Sequence, residues 1–155
     1  MTYPGFRFGV VVTYGGRERS GATFNSQTGK VIFFSRAPEN PDPDLYEWDD
    51  SRKGWVAVLD ASDCARVFYA AAFAMYRGYR CQVMKLFDDG TAEILYNDWN
   101  GAWAVSSGGF EQREKYEYYK VVHMSELHDY HEEQRDLVFD MWREQNFPRP
   151  AEASS

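Results

Sequence analysis

The chain has few cysteines, few histidines and no long hydrophobic run. Of its 155 residues, two are cysteine and three are histidine. Cys64 and Cys81 are too few for a disulfide framework, and their spacing matches no metal motif, which favours a reducing compartment. The start, Met1 to Phe8, has no apolar stretch long enough for a signal peptide, and nowhere do eighteen apolar residues run together. We therefore expect a cytoplasmic protein that does not span a membrane.

Acidic side chains and aromatic rings are what the sequence has in excess. Twenty-four acidic against seventeen basic residues give a net charge of -7, and 17% of the residues are aromatic. Residues 1–77 hold nine acids and nine bases, whereas residues 78–155 hold fifteen acids and eight bases, so the net charge belongs to the second half. This charge disfavours nucleic-acid binding, because phosphate backbones repel it, and it favours a basic partner.

Strand and turn signals predict an α+β fold with an antiparallel sheet. A nearly continuous apolar run that stops at Gly78 predicts a helix from a cap at Asp60 or Ser62 to Arg77. Apolar residues at near-helical spacing predict a final helix that begins at a Ser125 cap and continues through Trp142. Runs rich in β-branched and aromatic residues predict strands at 6–14, 17–24, 30–35, 55–59, 79–87, 91–96, 102–106 and 115–122.

The two halves of the chain share this order of elements. Gly5-Phe6-Arg7 and Gly78-Tyr79-Arg80 open the first strand of each half, and each half is predicted to be a β-meander followed by a helix. Residues 5–77 and 78–143 are therefore interpreted as pseudo-repeats, an internal duplication within one domain over 1–148. Residues 149–155 are predicted to form a flexible tail.

The sequence contains no decisive catalytic set. His128 and His131 lie three apart on the predicted helix, which is a weak zinc pattern that needs a third ligand from His123 or a carboxylate; a solvated helix face is the preferred interpretation. Cys64 is expected in a first helical turn, where the helix dipole favours a thiolate, but no base can be assigned to it. We therefore predict no enzyme, no cofactor and no bound metal.

Two loops combine carboxylates with large aromatic rings. The Pro-rich segment 37–53 interleaves acids with Trp48, and Asp98 opens a turn that carries two tryptophans. Tryptophan in exposed loops is typical of interface anchors, because one ring buries a large area at small entropic cost. The predicted partner-binding residues are Asp42, Asp44, Glu47, Trp48, Asp49, Asp50, Asp98, Trp99 and Trp103.

A small acidic α+β domain with such loops resembles in type the immunity proteins that accompany bacterial polymorphic or secreted toxins. The residues that carry this resemblance are the acidic run Glu39–Asp50, the turn Asp98–Trp103 and the stretch Tyr118–Leu127. The resemblance implies a cytoplasmic antidote that binds a cognate toxin and blocks its active site, with its acids in place of the toxin's anionic substrate. Whether such a protein is a monomer or a homodimer stays open.

Two other functions fit the sequence. A small hydrolase or transferase would use His128 or His131 as its base, with Cys64 or a carboxylate, and needs a concave pocket that contains them. A small-ligand-binding domain would line an apolar pocket with Tyr116, Tyr118 and strand aromatics.

Overall fold

Strands dominate the computed structural model, which describes residues 3–150. Two short α-helices and two 3-10 turns, Ala61–Asp63 and Met124–Glu126, accompany them. Most of the predicted tail, 151–155, lies outside the described residues. The elements are β1 (Gly9–Tyr14), β2 (Arg17–Asn25), β3 (Lys30–Ser35), β4 (Glu47–Asp49), β5 (Gly54–Asp60), β6 (Arg66–Tyr76), β7 (Tyr79–Leu86), β8 (Thr91–Tyr96), α1 (Gly101–Val105), β9 (Glu111–Glu114), β10 (Glu117–His123), β11 (Leu127–Asp136) and α2 (Leu137–Asn146).

Ten of the eleven strands follow one hydrogen-bonded order, β4-β5-β3-β2-β1-β6-β7-β8-β10-β9, and the eleventh, β11, pairs with β6. The predicted α+β fold of two meander-plus-helix units is wrong, because the two helices have only five and ten residues and no helix separates the two halves. The predicted duplication of such units is wrong with it. What the chain forms is a large, mostly antiparallel sheet.

Two compact units divide the chain. The Gly9 unit comprises Gly9–Tyr69 with the described part of Arg135–Ser155, and the Ala70 unit comprises Ala70–Gln134 with the described part of Met1–Phe8. Each unit has its own apolar core, which is what a self-standing unit needs. The Gly9 unit buries Val12, Ala22, Val31, Phe33, Ala57, Ala61 and Val67. The Ala70 unit buries Ala72, Ala74, Tyr76, Cys81, Val83, Ala92, Ile94, Tyr96, Ala104, Phe110 and Val122.

The helix predicted up to Arg77 is strand β6, preceded by a 3-10 turn. Eight of its eleven residues are buried, so both faces of the strand are covered. Such a strand has a continuous apolar sequence, which periodicity cannot distinguish from a buried helix. Gly78 ends no helix; with Arg77 it forms the two-residue turn between β6 and β7, and both residues have the positive φ that this hairpin turn requires, 83° and 49°.

The final helix is shorter than predicted and starts later. Strand β11 occupies the residues after Glu126, and α2 begins only after Asp136, whose side chain accepts a hydrogen bond from the backbone N–H of Phe139. The spacing of Leu127 and Tyr130 therefore belongs to a strand. Asp136 rather than Ser125 is the cap because it precedes the first unbroken helical run, 137–146.

The segment after β8 also differs from its prediction. The strand predicted at 102–106 is instead helix α1, capped by Asn100, whose side-chain oxygen accepts from the backbone N–H of Trp103. Strand β9, which is polar and exposed throughout, is absent from the prediction because it lacks the β-branched and aromatic residues that signal a strand. The strands predicted at 17–24, 30–35, 55–59, 79–87, 91–96 and 115–122 are present within one or two residues, and the strand predicted at 6–14 begins only at Gly9.

Candidate functional site

The first candidate surface lies on β4 and β5, in the Gly9 unit. Glu47 pairs with Val56 across these strands, and Val56 pairs in turn with Phe34 on β3. Residues directly opposite each other share a face of a sheet, so carboxylate and apolar side chains lie side by side there. Val58, two residues along the same strand, is 54% exposed. The residues that line this β4–β5 edge are Leu45, Glu47, Trp48, Asp49, Asp50, Val56 and Val58.

Trp48 is the aromatic anchor of the β4–β5 edge. It pairs with Trp55 across the two strands, and the rings meet edge to face, with centroids 5.1 Å apart and planes at 73°. The side chain of Trp48 is 49% exposed, and its indole N–H donates to Asp50 Oδ1 at 3.5 Å, a long bond. The ring is therefore braced from one side while the other side meets solvent, so a partner that covers it orders few additional atoms.

Two of the predicted acids shape the chain before and after Trp48. Asp42 forms an ion pair with Arg19 and accepts from the backbone N–H of Asp44. Asp49 accepts from the hydroxyl and the backbone N–H of Ser51, and such hydrogen bonds lower the pKa of the Asp49 carboxyl. These carboxylates are engaged within the chain, so their contribution to a partner is indirect.

The other predicted acids of this segment are exposed. Asp44, Glu47 and Asp50 are exposed to solvent. Asp50 forms an ion pair with Lys53, with Oδ1 and Nζ 3.1 Å apart. Glu47 lies next to Trp48 on β4, and Asp50 is bonded to the indole itself. Exposed carboxylates thus flank the ring along the chain.

The second candidate surface surrounds the start of α1, in the Ala70 unit. Trp99 is 81% exposed, the highest value of any large hydrophobic side chain described, whereas Trp103 packs on the core, with its ring centroid 4.2 Å from that of Tyr79. The local sequence does not show which of the two tryptophans is exposed. Trp103 faces the core because it lies on helix α1, capped by Asn100, and the residues of α1 are predicted as a strand. Only Trp99 remains a candidate anchor.

A groove beside Trp99 contains the two tyrosines of the predicted small-ligand pocket. Tyr116 is 75% exposed at the turn between β9 and β10, and Tyr118 lies against Gly101, where a side chain would come within 3.3 Å of its ring. Asp98 accepts from the backbone N–H groups of Arg80 and Trp99, at 2.8 Å each, which fixes its carboxylate at the groove. The residues that line this Trp99 groove are Tyr96, Asn97, Asp98, Trp99, Gly101, Tyr116 and Tyr118.

The histidines do not share a helical face, because His128 and His131 lie on strand β11. His131 stacks on Phe73, and its Nε2 lies 2.9 Å from Glu133 Oε2. A hydrogen bond to the carbonyl of Asp129, followed by the contact with Glu133, raises the pKa of His131. Among residues 3–150, no three His, Cys, Asp or Glu side chains are grouped so that they could hold a metal ion.

Cys64 does not lie in a helical turn. It follows the 3-10 turn Ala61–Asp63, its thiol donates to the carbonyl of Asp60 at 3.5 Å, and its side chain packs on the core of the Gly9 unit. Burial, together with the charges of Asp63 and Asp60, raises its thiol pKa above the ordinary value. The expected activation by a helix dipole is therefore wrong, and the thiol is protonated at neutral pH.

Helix α2 and the residue that follows it expose aromatic side chains. Leu137 and Val138 pack on the core of the Gly9 unit, but no residue of the helix is fully buried. Phe139, Trp142 and Phe147 form an exposed row, with successive centroids 6.0 and 5.5 Å apart. A helix that packs through so few residues leaves an apolar side uncovered.

A groove of about 720 Å³ separates α2 from β1 and β2. It contains none of the predicted site residues. Its cation, Arg135, is already paired with Asp140 at 3.1 Å and lies over the ring of Tyr69 at 5.5 Å. The groove therefore presents apolar side chains and a neutralised ion pair.

Comparison with known proteins identifies no relative of this chain. No protein-family model, no curated protein and no solved structure matches the chain. Among residues 3–150, no helix is long and apolar enough to cross a membrane.

Proposed function

We propose that this chain is a protein-binding domain that holds a basic partner along its β4–β5 edge. The observation that carries the proposal is the position of Trp48: a half-exposed ring, braced by Trp55, with exposed carboxylates before and after it in the chain. Interfaces draw most of their affinity from a few aromatic anchors near the centre, with charges around them. The exposed Val58 lies with Glu47 and Val56 on the other face of the same edge, so a partner that reaches it must wrap around β4.

Charge supports a basic partner. Within the described part of the chain, the carboxylates of Glu47 and Asp44 have no ion-pair partner, so both fields extend into solvent. Unpaired charges at the rim of an interface accelerate association and favour partners of opposite charge, and they add less to the affinity of the complex. Asp42 and Asp49 contribute indirectly: the bond from Asp44 to Asp42 holds the segment before Glu47, and the bonds from Ser51 to Asp49 hold the turn after Trp48.

The finer proposal is that the partner is a bacterial toxin and the chain its immunity protein. Its support is the resemblance in type together with an acidic surface that imitates an anionic substrate. Such a protein covers the basic active site of the toxin, so its affinity and its inhibition fall together when the surface is changed.

The test uses the protein encoded next to this chain, because a toxin and its antidote are normally neighbours. Trp48→Ala is expected to weaken binding about 30-fold or more, the effect of losing roughly 2 kcal/mol at an anchor. Glu47→Gln is expected to slow association and flatten its salt dependence while leaving dissociation nearly unchanged. Binding kinetics at several salt concentrations, with inhibition measured in parallel, report both effects.

Trp142→Ala is the matched control. Trp142 is also 49% exposed and lies in the same unit, but it does not line the β4–β5 edge. If Trp142→Ala weakens binding as much as Trp48→Ala, or if neither does, the β4–β5 edge is not the binding surface. If the neighbouring protein binds but no activity of it is inhibited, the immunity function is refuted and protein binding remains.

A further inference from the structure

We propose that the Trp99 groove binds the guanidinium group of an arginine side chain presented by another protein. The groove belongs to the Ala70 unit, and the proposal does not depend on the β4–β5 edge. It combines two open aromatic rings, a fixed carboxylate and a floor without side-chain bulk at Gly101. Guanidinium is the cation whose flat shape and fork of donors suit such a set.

The exposure of the Trp99 and Tyr116 rings costs folding free energy. Trp99 is 81% exposed although tryptophan is on average highly buried, and Tyr116 is 75% exposed. Tyr116 also has φ of 68°, a left-handed conformation that bulky side chains rarely adopt. Strain of this kind is typical of functional positions, and glycine would fit the backbone better than tyrosine does.

The polar groups of the groove are oriented for a cation. Both oxygens of Asp98 accept a backbone N–H, so the carboxylate is held in place while each oxygen keeps a lone pair for a ligand. Lys115 Nζ lies 5.3 Å from the centroid of Tyr116, so one face of this ring already meets a cation of its own chain, and an arginine ligand would displace it or use the other face. Within residues 3–150, no cation lies over the ring of Trp99.

The Ala70 unit already contains one arginine bound in the way we propose, between an aromatic ring and a carboxylate of the same chain. The guanidinium of Arg80 lies 3.9 Å from the ring centroid of Phe73 and donates to both oxygens of Glu133, at 2.6 and 3.0 Å. Ring, carboxylate and guanidinium thus occur together there. The Trp99 groove has the ring and the carboxylate, and its lining residues include no guanidinium.

The experiment is a titration of the full chain with N-acetyl-arginine amide, followed by the indole N–H signal of Trp99 in an NMR spectrum. N-acetyl-citrulline amide is the matched probe, since it has nearly the same shape without the charge. We expect saturable shifts with the arginine probe and weaker binding with the citrulline probe. Tyr116→Gly and Asp98→Asn are each expected to weaken arginine binding about two- to fivefold, the effect of one exposed cation–π or charge contact. Trp99→Ala, followed by calorimetry because its reporter is lost, is expected to have an effect of the same size.

Tyr116→Gly also separates binding from folding. Glycine adopts positive φ without strain, so this variant is expected to melt at the same temperature as the parent or higher, while its arginine affinity falls. Trp48→Ala is the control that should leave arginine binding unchanged. Equal binding of both probes, unchanged binding in Trp99→Ala, or saturation by a disaccharide such as maltose without any response to arginine would overturn the proposal.

Discussion

The ammonium group of Lys120 joins three segments of the Ala70 unit, and its removal gives the sharpest test of how that unit is held together. From β10, Nζ donates to the hydroxyl of Tyr76 on β6 at 2.6 Å and to the carbonyl of Gly108, after α1, at 2.8 Å. Tyr76 is 1% exposed, so its hydroxyl has no ready access to water. Lys120→Met keeps the aliphatic stem and deletes the charge and both bonds.

The expected cost follows from the two acceptors. A hydrogen bond from a charged donor is worth about 1.5–3 kcal/mol, and a buried acceptor left unpaired costs about 1–3 kcal/mol. Lys120 is partly exposed, so solvent screens its interactions in the folded chain and the sum is reduced. We expect Lys120→Met to lower the free energy of unfolding by about 2–3 kcal/mol, and Tyr76→Phe, which removes one acceptor only, by about 1 kcal/mol.

Urea unfolding followed by tryptophan fluorescence measures both values, and the double variant completes a thermodynamic cycle. The hydroxyl and the ammonium serve each other, so Lys120→Met in the Tyr76→Phe background should cost about 1 kcal/mol less than in the parent. Lys85→Met is the matched control, because Lys85 is exposed on β7 opposite Glu93 and has no described hydrogen bond, so the change removes the same charge without leaving a buried acceptor unpaired. Strict additivity, or equal losses for the Lys85 and Lys120 variants, would refute the reasoning.

Two further predictions concern titratable groups. Hydrogen bonds, chiefly from Arg80, lower the pKa of Glu133, so the contribution of Glu133 to stability is present above pH 4.5 and is lost as the pH falls through the lowered pKa. The pKa of His131 is raised, so the contribution of His131 to stability is complete below pH 6.5 and is lost as the pH rises past the raised pKa. Urea midpoints should therefore peak between these limits, and His131→Asn should flatten chiefly the alkaline side, with a smaller effect on the acid side because His131 also lowers the pKa of Glu133; an unchanged alkaline decline would contradict this. Burial raises the pKa of Cys81 to about 12, so iodoacetamide at pH 8 should leave it unmodified in the folded chain and alkylate it in urea, as mass spectrometry can follow; modification of Cys81 before unfolding would contradict its burial.

Local signals account for the part of the fold that the sequence predicted. The hairpins of β1 to β3 and of β7 and β8 follow from runs rich in β-branched and aromatic residues and from glycine turns, which act within a few residues. The identity of β6 depends instead on which elements cover both of its faces. Strand β11 has four charged residues among its last five, and it forms because it pairs with β6. Neither the covering of both faces of β6 nor the pairing of β11 with β6 can be predicted from one stretch of sequence.

The same limit applies to the candidate surfaces. Trp48 and Trp99 are exposed, as an anchor must be, but Trp103 is a core residue because the cap at Asn100 turns it inward. Val58 is absent from the predicted site, although the alternation along 54–60 contains the signal. It lies at the same strand parity as Val56, opposite to the buried Ala57, so its exposure follows from the period of a strand.

The strands at the two ends of the hydrogen-bonded order, β4 and β9, have only three and four residues. They carry Glu47 and Asp49 at one end, and Glu111, Arg113 and Glu114 at the other. The outer strand of a sheet offers unpaired backbone groups to any extended chain nearby, and short, charged strands hinder the stacking of one molecule upon the next. The carboxylates of β4 thus also disfavour edge-to-edge pairing of two molecules, and a chain that loses them is expected to associate more readily at high concentration.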